Sequence, residues 1–109
     1  MSLKIKTWNI EAITGYNPKT TFYEDFSIAD RFGAAAVKDT FKRALKGWKH
    51  NHEYLTELAM AMSWKVNEHY CTGNMAFAEL YQELYEKIDT YCKDNFNEEQ
   101  LRYYYLTTD

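Results

Sequence analysis

The chain has 109 residues, of which 46% are hydrophobic and 27% are charged, and its formal net charge is −3. This length suits one domain with one core and is too short for two ordinary domains. The composition is typical of a soluble globular protein, and no apolar run approaches the ~20 residues that span a bilayer. No secretory signal is visible, and residues 1–3 look like a vector leader. We therefore expect one cytoplasmic domain over residues 1–109.

Residues 4–26 predict a β-hairpin. The stretch from Lys4 to Ile10 partly alternates and is rich in β-formers, as are residues 20–23. The segment between them contains Gly15 and Pro18 and has the composition of a turn. Because two strands alone are marginal in water, we expect the hairpin to lay one face on the remaining chain.

Residues 27–109 predict a helical bundle. Ser27 can cap a short first helix that ends at Phe32, and a second helix follows from Ala34 with apolar residues at spacings of three and four. Asn51 can cap the third helix. The core stripe of this third helix comprises Leu55, Leu58, Ala59, Met62, Val66 and either His69 or Tyr70.

The last two helices have the clearest signals. Gly73 with Asn74 predicts a stop followed by a new cap, and Asn97 with Gln100 predicts a capping box. The fourth helix, between these signals, carries a regular apolar face made of Phe77, Leu80, Tyr81, Leu84, Ile88 and Tyr91. Short connections favour antiparallel neighbours. The expected fold class is therefore α+β, mostly α, with an N-terminal β-hairpin packed on a small antiparallel helical bundle.

The two cysteines, Cys71 and Cys92, are expected near opposite ends of an antiparallel helix pair. A disulfide needs their Cα atoms within roughly 7 Å. We therefore predict two free thiols, each buried or half-buried.

No pattern of residues predicts an active site. His50, His52 and Glu53 are close in sequence, but the i, i+4 histidine pair of a helical zinc motif is absent. His69 and Cys71 are two apart, which points them about 200° from each other on a helix. The glycines stand singly, so no phosphate-binding loop is present. We expect no catalytic residue, no cofactor, no metal ion and no enzymatic activity.

Charge is divided along the chain. Residues 1–52 carry nine Lys or Arg against five Asp or Glu, whereas residues 53–109 carry four against eleven. The basic helix 38–50 offers a candidate nucleic-acid surface, because its cations can neutralise phosphates. Alternatively, the basic helix lies against an acidic helix, within the fold or between subunits. The candidate residues of this surface are Lys42, Arg43, Lys46 and Lys49.

Aromatic residues make up 17% of the chain, more than a small core can hide, and they indicate a protein partner. On the third helix, Met60 and Trp64 project roughly 160° to 200° away from the core residue Met62. Either this helix is central and buried on both sides, or Met60 and Trp64 form a partner surface.

Three parts of the chain carry a resemblance to a known family. They are residues 14–33 (TGYNPKTTFYEDFSIADRFG), residues 55–58 (LTEL) and residues 105–109 (YLTTD). These segments resemble a family of small uncharacterised proteins associated with conjugative transposons of gut Bacteroidetes. The resemblance implies a mobile-element context and intracellular residence, and it brings no assigned activity or site residues.

The sequence thus predicts a non-enzymatic accessory protein of a mobile element that acts as a protein–protein interaction module. It would associate with itself or with another protein, and no membrane is expected among its partners. The alternative is a nucleic-acid-binding accessory protein that uses the basic helix 38–50. A third interpretation is an enzyme or small-ligand binder whose site is not recognised.

Overall fold

The structure, a computed structural model, describes residues 22–108. This range folds into five helices: α1 (Phe22–Asp30), α2 (Ala34–Trp48), α3 (His52–Cys71), α4 (Met75–Asn95) and α5 (Glu98–Thr108). α3 lies at the centre, because it contacts each of the other four helices, and its most extensive neighbour is α4. Within residues 22–108, no helix combines the length and the apolar composition that a bilayer-spanning segment needs.

The expected α+β class is wrong, since every element between residues 22 and 108 is a helix. Most of the predicted hairpin, including the stretch from Lys4 to Ile10, lies outside the described residues. Its end, however, is helical: α1 begins at Phe22 and buries Phe22, Phe26 and Ala29 at helical spacing. Burial of this stripe in the core outweighs the β preference of the aromatic residues, which depends on context. α1 also ends at Asp30, before the expected end at Phe32.

The predicted helix starts of α3, α4 and α5 are confirmed. The Asn51 side chain accepts a hydrogen bond from the Tyr54 amide, and the Asn74 side chain accepts one from the Phe77 amide. Asn97 and Gln100 form the reciprocal capping box, with each side chain oxygen accepting from the other residue's amide at 2.9 and 3.0 Å. Gly73 precedes α4 with a φ of +81°, a conformation that favours glycine.

One cluster of buried side chains forms the core, and every helix contributes to it. The predicted apolar stripes supply most of its members, and His69 rather than Tyr70 is the buried member of the α3 pair. Cys71 and Cys92 are both free thiols, as predicted. Cys92 is buried, but Cys71 is exposed at the last position of α3, so its expected burial is wrong.

Candidate functional site

A buried lysine joins α1 to α3. Lys65 is fully buried, and its ammonium lies 2.8 Å from Asp30 Oδ2 and 2.8 Å from Glu68 Oε2. It also donates to Ser27 Oγ at 3.1 Å. An ammonium has three donors, and these three acceptors use them all. Because a buried charge without such partners would be very costly, these contacts are what allow Lys65 to sit in the core.

The two carboxylates of this cluster also accept hydrogen bonds from tyrosine hydroxyls. Asp30 accepts from the Tyr81 hydroxyl at 2.5 Å and lies 2.9 Å from His69 Nε2. Glu68 Oε1 accepts from the Tyr23 hydroxyl. The His69 ring stacks on Tyr81 with a centroid distance of 5.5 Å. The cluster therefore connects α1, α3 and α4.

Hydrogen bonds within the cluster stabilise the charged forms of Lys65 and Glu68. Burial alone would lower the pKa of Lys65, but its hydrogen bonds to Asp30 and Glu68, and the charges of both carboxylates, raise the pKa above its usual value. Hydrogen bonds from Lys65 and Tyr23 lower the pKa of Glu68. Lys65 is thus protonated and enclosed, which leaves it unsuited to act as a base or a nucleophile.

The same cluster contains a group of potential metal ligands. Within residues 22–108, Asp30, Glu68 and His69 form the one group of three whose ligand atoms all lie within 4.8 Å of one another. The Lys65 ammonium contacts both carboxylates and already supplies the cation between them. His50 and His52, considered from the sequence, are not members of this group and line a separate depression of about 240 Å³.

An open groove runs along the outer side of α3 next to this cluster. We call it the Trp64 groove, and two adjoining depressions of about 520 and 180 Å³ form it, with Tyr23 and Trp64 lining both. The α3 residues that line the groove, at positions 57, 60, 64, 67 and 71, follow one another at alternating spacings of three and four. They therefore place one side chain per turn along about 21 Å of helix. The residues of the groove that bear on its chemistry are Tyr23, Glu57, Met60, Trp64, Asn67, Glu68 and Cys71.

The centre of the Trp64 groove is aromatic and apolar, and both of its ends carry a carboxylate. Trp64 is 52% exposed, and its ring meets the Tyr23 ring edge-on at a centroid distance of 6.3 Å. Met60 is half-buried beside it. Glu57 lines one end of the groove, and Glu68, whose side chain is 35% exposed, lines the other. α3 is therefore central in the fold without being buried on both sides.

The candidate nucleic-acid surface lies on α2 and on Lys49, the residue that follows it, so the basic helix ends at Trp48 and not at residue 50 as expected. Its four residues, Lys42, Arg43, Lys46 and Lys49, are exposed. Arg43 forms an ion pair at 3.0 Å with Asp39 of the same helix. Lys38, one turn earlier, lines a depression of about 310 Å³ together with Glu79 and Glu83 of α4. One side of α2 thus lies beside an acidic helix, and the four candidate residues face solvent.

The sequence pattern indicated Met60 and Trp64 but not the other groove residues. The signal for them was the regular spacing of Glu57, Met60 and Trp64, which continues through Asn67 and Cys71. The position of Tyr23 in the groove could not be predicted, because its segment was expected to be a strand and is part of α1. A similar signal marks Lys65, which is three residues after Met62 and four before His69, on the stripe predicted to face the core.

Comparison with known protein families, with curated proteins and with solved structures gives no match.

Proposed function

We propose that the protein is a non-enzymatic accessory protein that acts through a protein–protein contact at the Trp64 groove. The observation that carries this proposal is the half-exposed Trp64, set between Tyr23 and Met60 in a concave surface. Tryptophan, tyrosine and methionine are enriched at the centres of protein interfaces, and tryptophan is prominent among the residues that dominate binding energy. A partner that covers the Trp64 ring would remove a large apolar area from water.

The chemistry of the neighbouring cluster supports a non-enzymatic role. Lys65 uses all three of its donors on Ser27, Asp30 and Glu68. Ser27 accepts a hydrogen bond from an ammonium, whereas an activated serine nucleophile would donate to a neutral base. These contacts tie helices together and leave neither Ser27 nor Lys65 poised to react.

The cellular context of the proposal comes from the sequence. The resemblance to conjugative-transposon proteins supports an accessory role in a mobile element and work in the cytoplasm. The partner we propose is a protein encoded by the same element.

A capture experiment tests the proposal. The tagged 109-residue chain is incubated with nuclease-treated lysate of cells that carry the element, and it is compared with Trp64→Ser and with Tyr105→Ser. Tyr105 is a suitable control because it is an aromatic residue of α5 that is 44% exposed. We expect a protein that the wild type and Tyr105→Ser retain and Trp64→Ser loses. Equal capture by all three proteins would exclude the Trp64 groove as the contact surface.

A second candidate function, nucleic-acid binding, is favoured by the exposure of Lys42, Arg43, Lys46 and Lys49. If it were correct, Arg43→Ala combined with Lys46→Ala would weaken binding and reduce its salt slope by about 0.9 for each duplex-DNA phosphate that is no longer neutralised. We predict instead that the wild type binds DNA no more tightly than the non-specific range of roughly 10⁻⁴ to 10⁻⁶ M at physiological salt. A submicromolar dissociation constant that the double substitution abolishes would support the second candidate.

A further inference from the structure

The buried cluster leaves negative charge at one end of the Trp64 groove. Asp30 and Glu68 are two carboxylates that share the single ammonium of Lys65, so the acidic groups outnumber the lysine cation by one. Asp30 is the more enclosed of the two carboxylates, with 16% of its side chain exposed against 35% for Glu68. The excess charge therefore reaches solvent chiefly through Glu68, inside the groove.

Glu68 has acceptor capacity left for a ligand. A carboxylate offers about four lone-pair sites, and here Tyr23 and Lys65 each occupy one. The pKa of Glu68 is held below its usual value by these two hydrogen bonds, so the group stays ionised at neutral pH. One acceptor site remains on each oxygen, and this number matches the two parallel N–H donors of a guanidinium.

The aromatic wall of the groove adds a second preference for a cation. Trp64 and Tyr23 line the same depression as Glu68, and indole is the side chain on which cations stack best. A carboxylate set beside an aromatic and apolar groove complements a segment that carries positive charge among apolar residues.

We infer that the Trp64 groove binds a partner segment that presents an arginine beside an apolar side chain, with the guanidinium on Glu68 and Trp64. Arginine fits better than lysine, because its planar group can stack on indole and donate two parallel hydrogen bonds to a carboxylate. The apolar neighbour would contact Met60 and Tyr23. This inference rests on the proposed function and names the chemistry of its partner.

The test uses the 109-residue chain and a blocked peptide of leucine, arginine and leucine. The matched control peptide carries citrulline, which keeps the shape of arginine and lacks its charge. Binding is followed by the indole N–H signal of Trp64 in NMR spectra, assigned with Trp64→Phe. We expect the arginine peptide to bind about tenfold more tightly than the citrulline peptide, since hydrogen bonds to charged groups have this order of strength.

Two variants locate the effect. Glu68→Gln should reduce the preference for arginine to less than about twofold, whereas Glu83→Gln, at an exposed position of α4, should leave it unchanged. If Glu68→Gln does not fold, the preference of the wild type alone still decides the matter. Equal binding of the two peptides at Trp64 would refute the arginine preference and leave the proposed function standing.

Other occupants would give different results. A second copy of the chain in the groove would make the Trp64 signal depend on protein concentration without peptide, and this would overturn the inference. Absence of any peptide effect, combined with a protein captured through Trp64, would also overturn the inference but not the proposed function. Capture that is independent of Trp64 would refute the proposed function itself.

Discussion

Replacing Lys65 with methionine tests whether the buried cluster holds α1 on α3. Methionine retains an unbranched side chain but has no ammonium, so Asp30 and Glu68 are left close together without a cation. Removing one partner of a buried ion pair typically costs about 3–5 kcal/mol. We expect a decrease in unfolding free energy near the lower end, about 3 kcal/mol, because the Glu68 side chain is 35% exposed and can regain water.

The matched control is Lys93→Met. Lys93 forms a similar ion pair with Asp89 at 3.0 Å, but its side chain is 49% exposed. Exposed pairs contribute little to stability, so we expect no resolvable change in unfolding free energy. The assay is urea denaturation followed by far-UV circular dichroism, with the slope m compared between variants to confirm the same unfolding transition.

Two further results are expected if the ammonium of Lys65 neutralises Asp30 and Glu68. Adding Asp30→Asn to Lys65→Met should recover part of the stability, because one of the two facing charges disappears. The destabilisation should also shrink at acidic pH, where protonation relieves the repulsion between the carboxylates. Equal stability of Lys65→Met and Lys93→Met at neutral pH would refute the reasoning, since it would mean that burial of the ammonium has no energetic consequence.

Three other predictions follow from the burial or exposure of particular side chains. Leu84→Ala, at a side chain only 4% exposed, should reduce the unfolding free energy by about 2–5 kcal/mol. Glu83→Ala, on the solvent side of the same helix, should reduce it by less than about 0.5 kcal/mol. Equal reductions would contradict the face assignment of α4. Ellman's reagent should modify Cys71 in the native protein and Cys92 only after unfolding, because Cys92 is buried and burial raises its pKa to about 12; simultaneous modification in native protein would count against this. Burial also raises the pKa of Asp25 to about 7 from an ordinary value of 3.8. Between these pH values the folded protein holds a proton on Asp25 that the unfolded chain releases. The unfolding free energy should therefore fall as pH rises from 3.8 to about 7. Asp25→Asn should flatten that part of the pH profile, and an unchanged profile would argue against it.

The helix boundaries that could be predicted are those set by local chemistry. Asn51, Asn74 and the pair Asn97 and Gln100 each satisfy backbone groups within one turn, so the sequence alone indicates where α3, α4 and α5 begin. α1 could not be predicted in the same way. Its aromatic residues have a β preference, and its helical form depends on Phe22 and Phe26 packing against distant parts of the core.

The candidate site was predictable only in part for a related reason. The exposed stripe of α3 is indicated by the spacing of Met60 and Trp64, but its position beside Tyr23 depends on where α1 docks. The buried cluster combines Asp30 with Lys65 and His69, which are more than thirty residues away along the chain. Spacing within one helix cannot show that these charges neutralise each other across two helices.

The proposed contact at the Trp64 groove is tested most directly inside cells. A photoreactive benzoylphenylalanine is placed at Trp64, and in a parallel protein at Tyr105, and both are irradiated in cells of the organism that encodes the chain. We predict one dominant protein–protein adduct at Trp64 that Glu68→Gln weakens, and no such adduct at Tyr105. Absence of an adduct at Trp64, or the same adduct at both positions, would contradict the assignment of this groove as the partner surface.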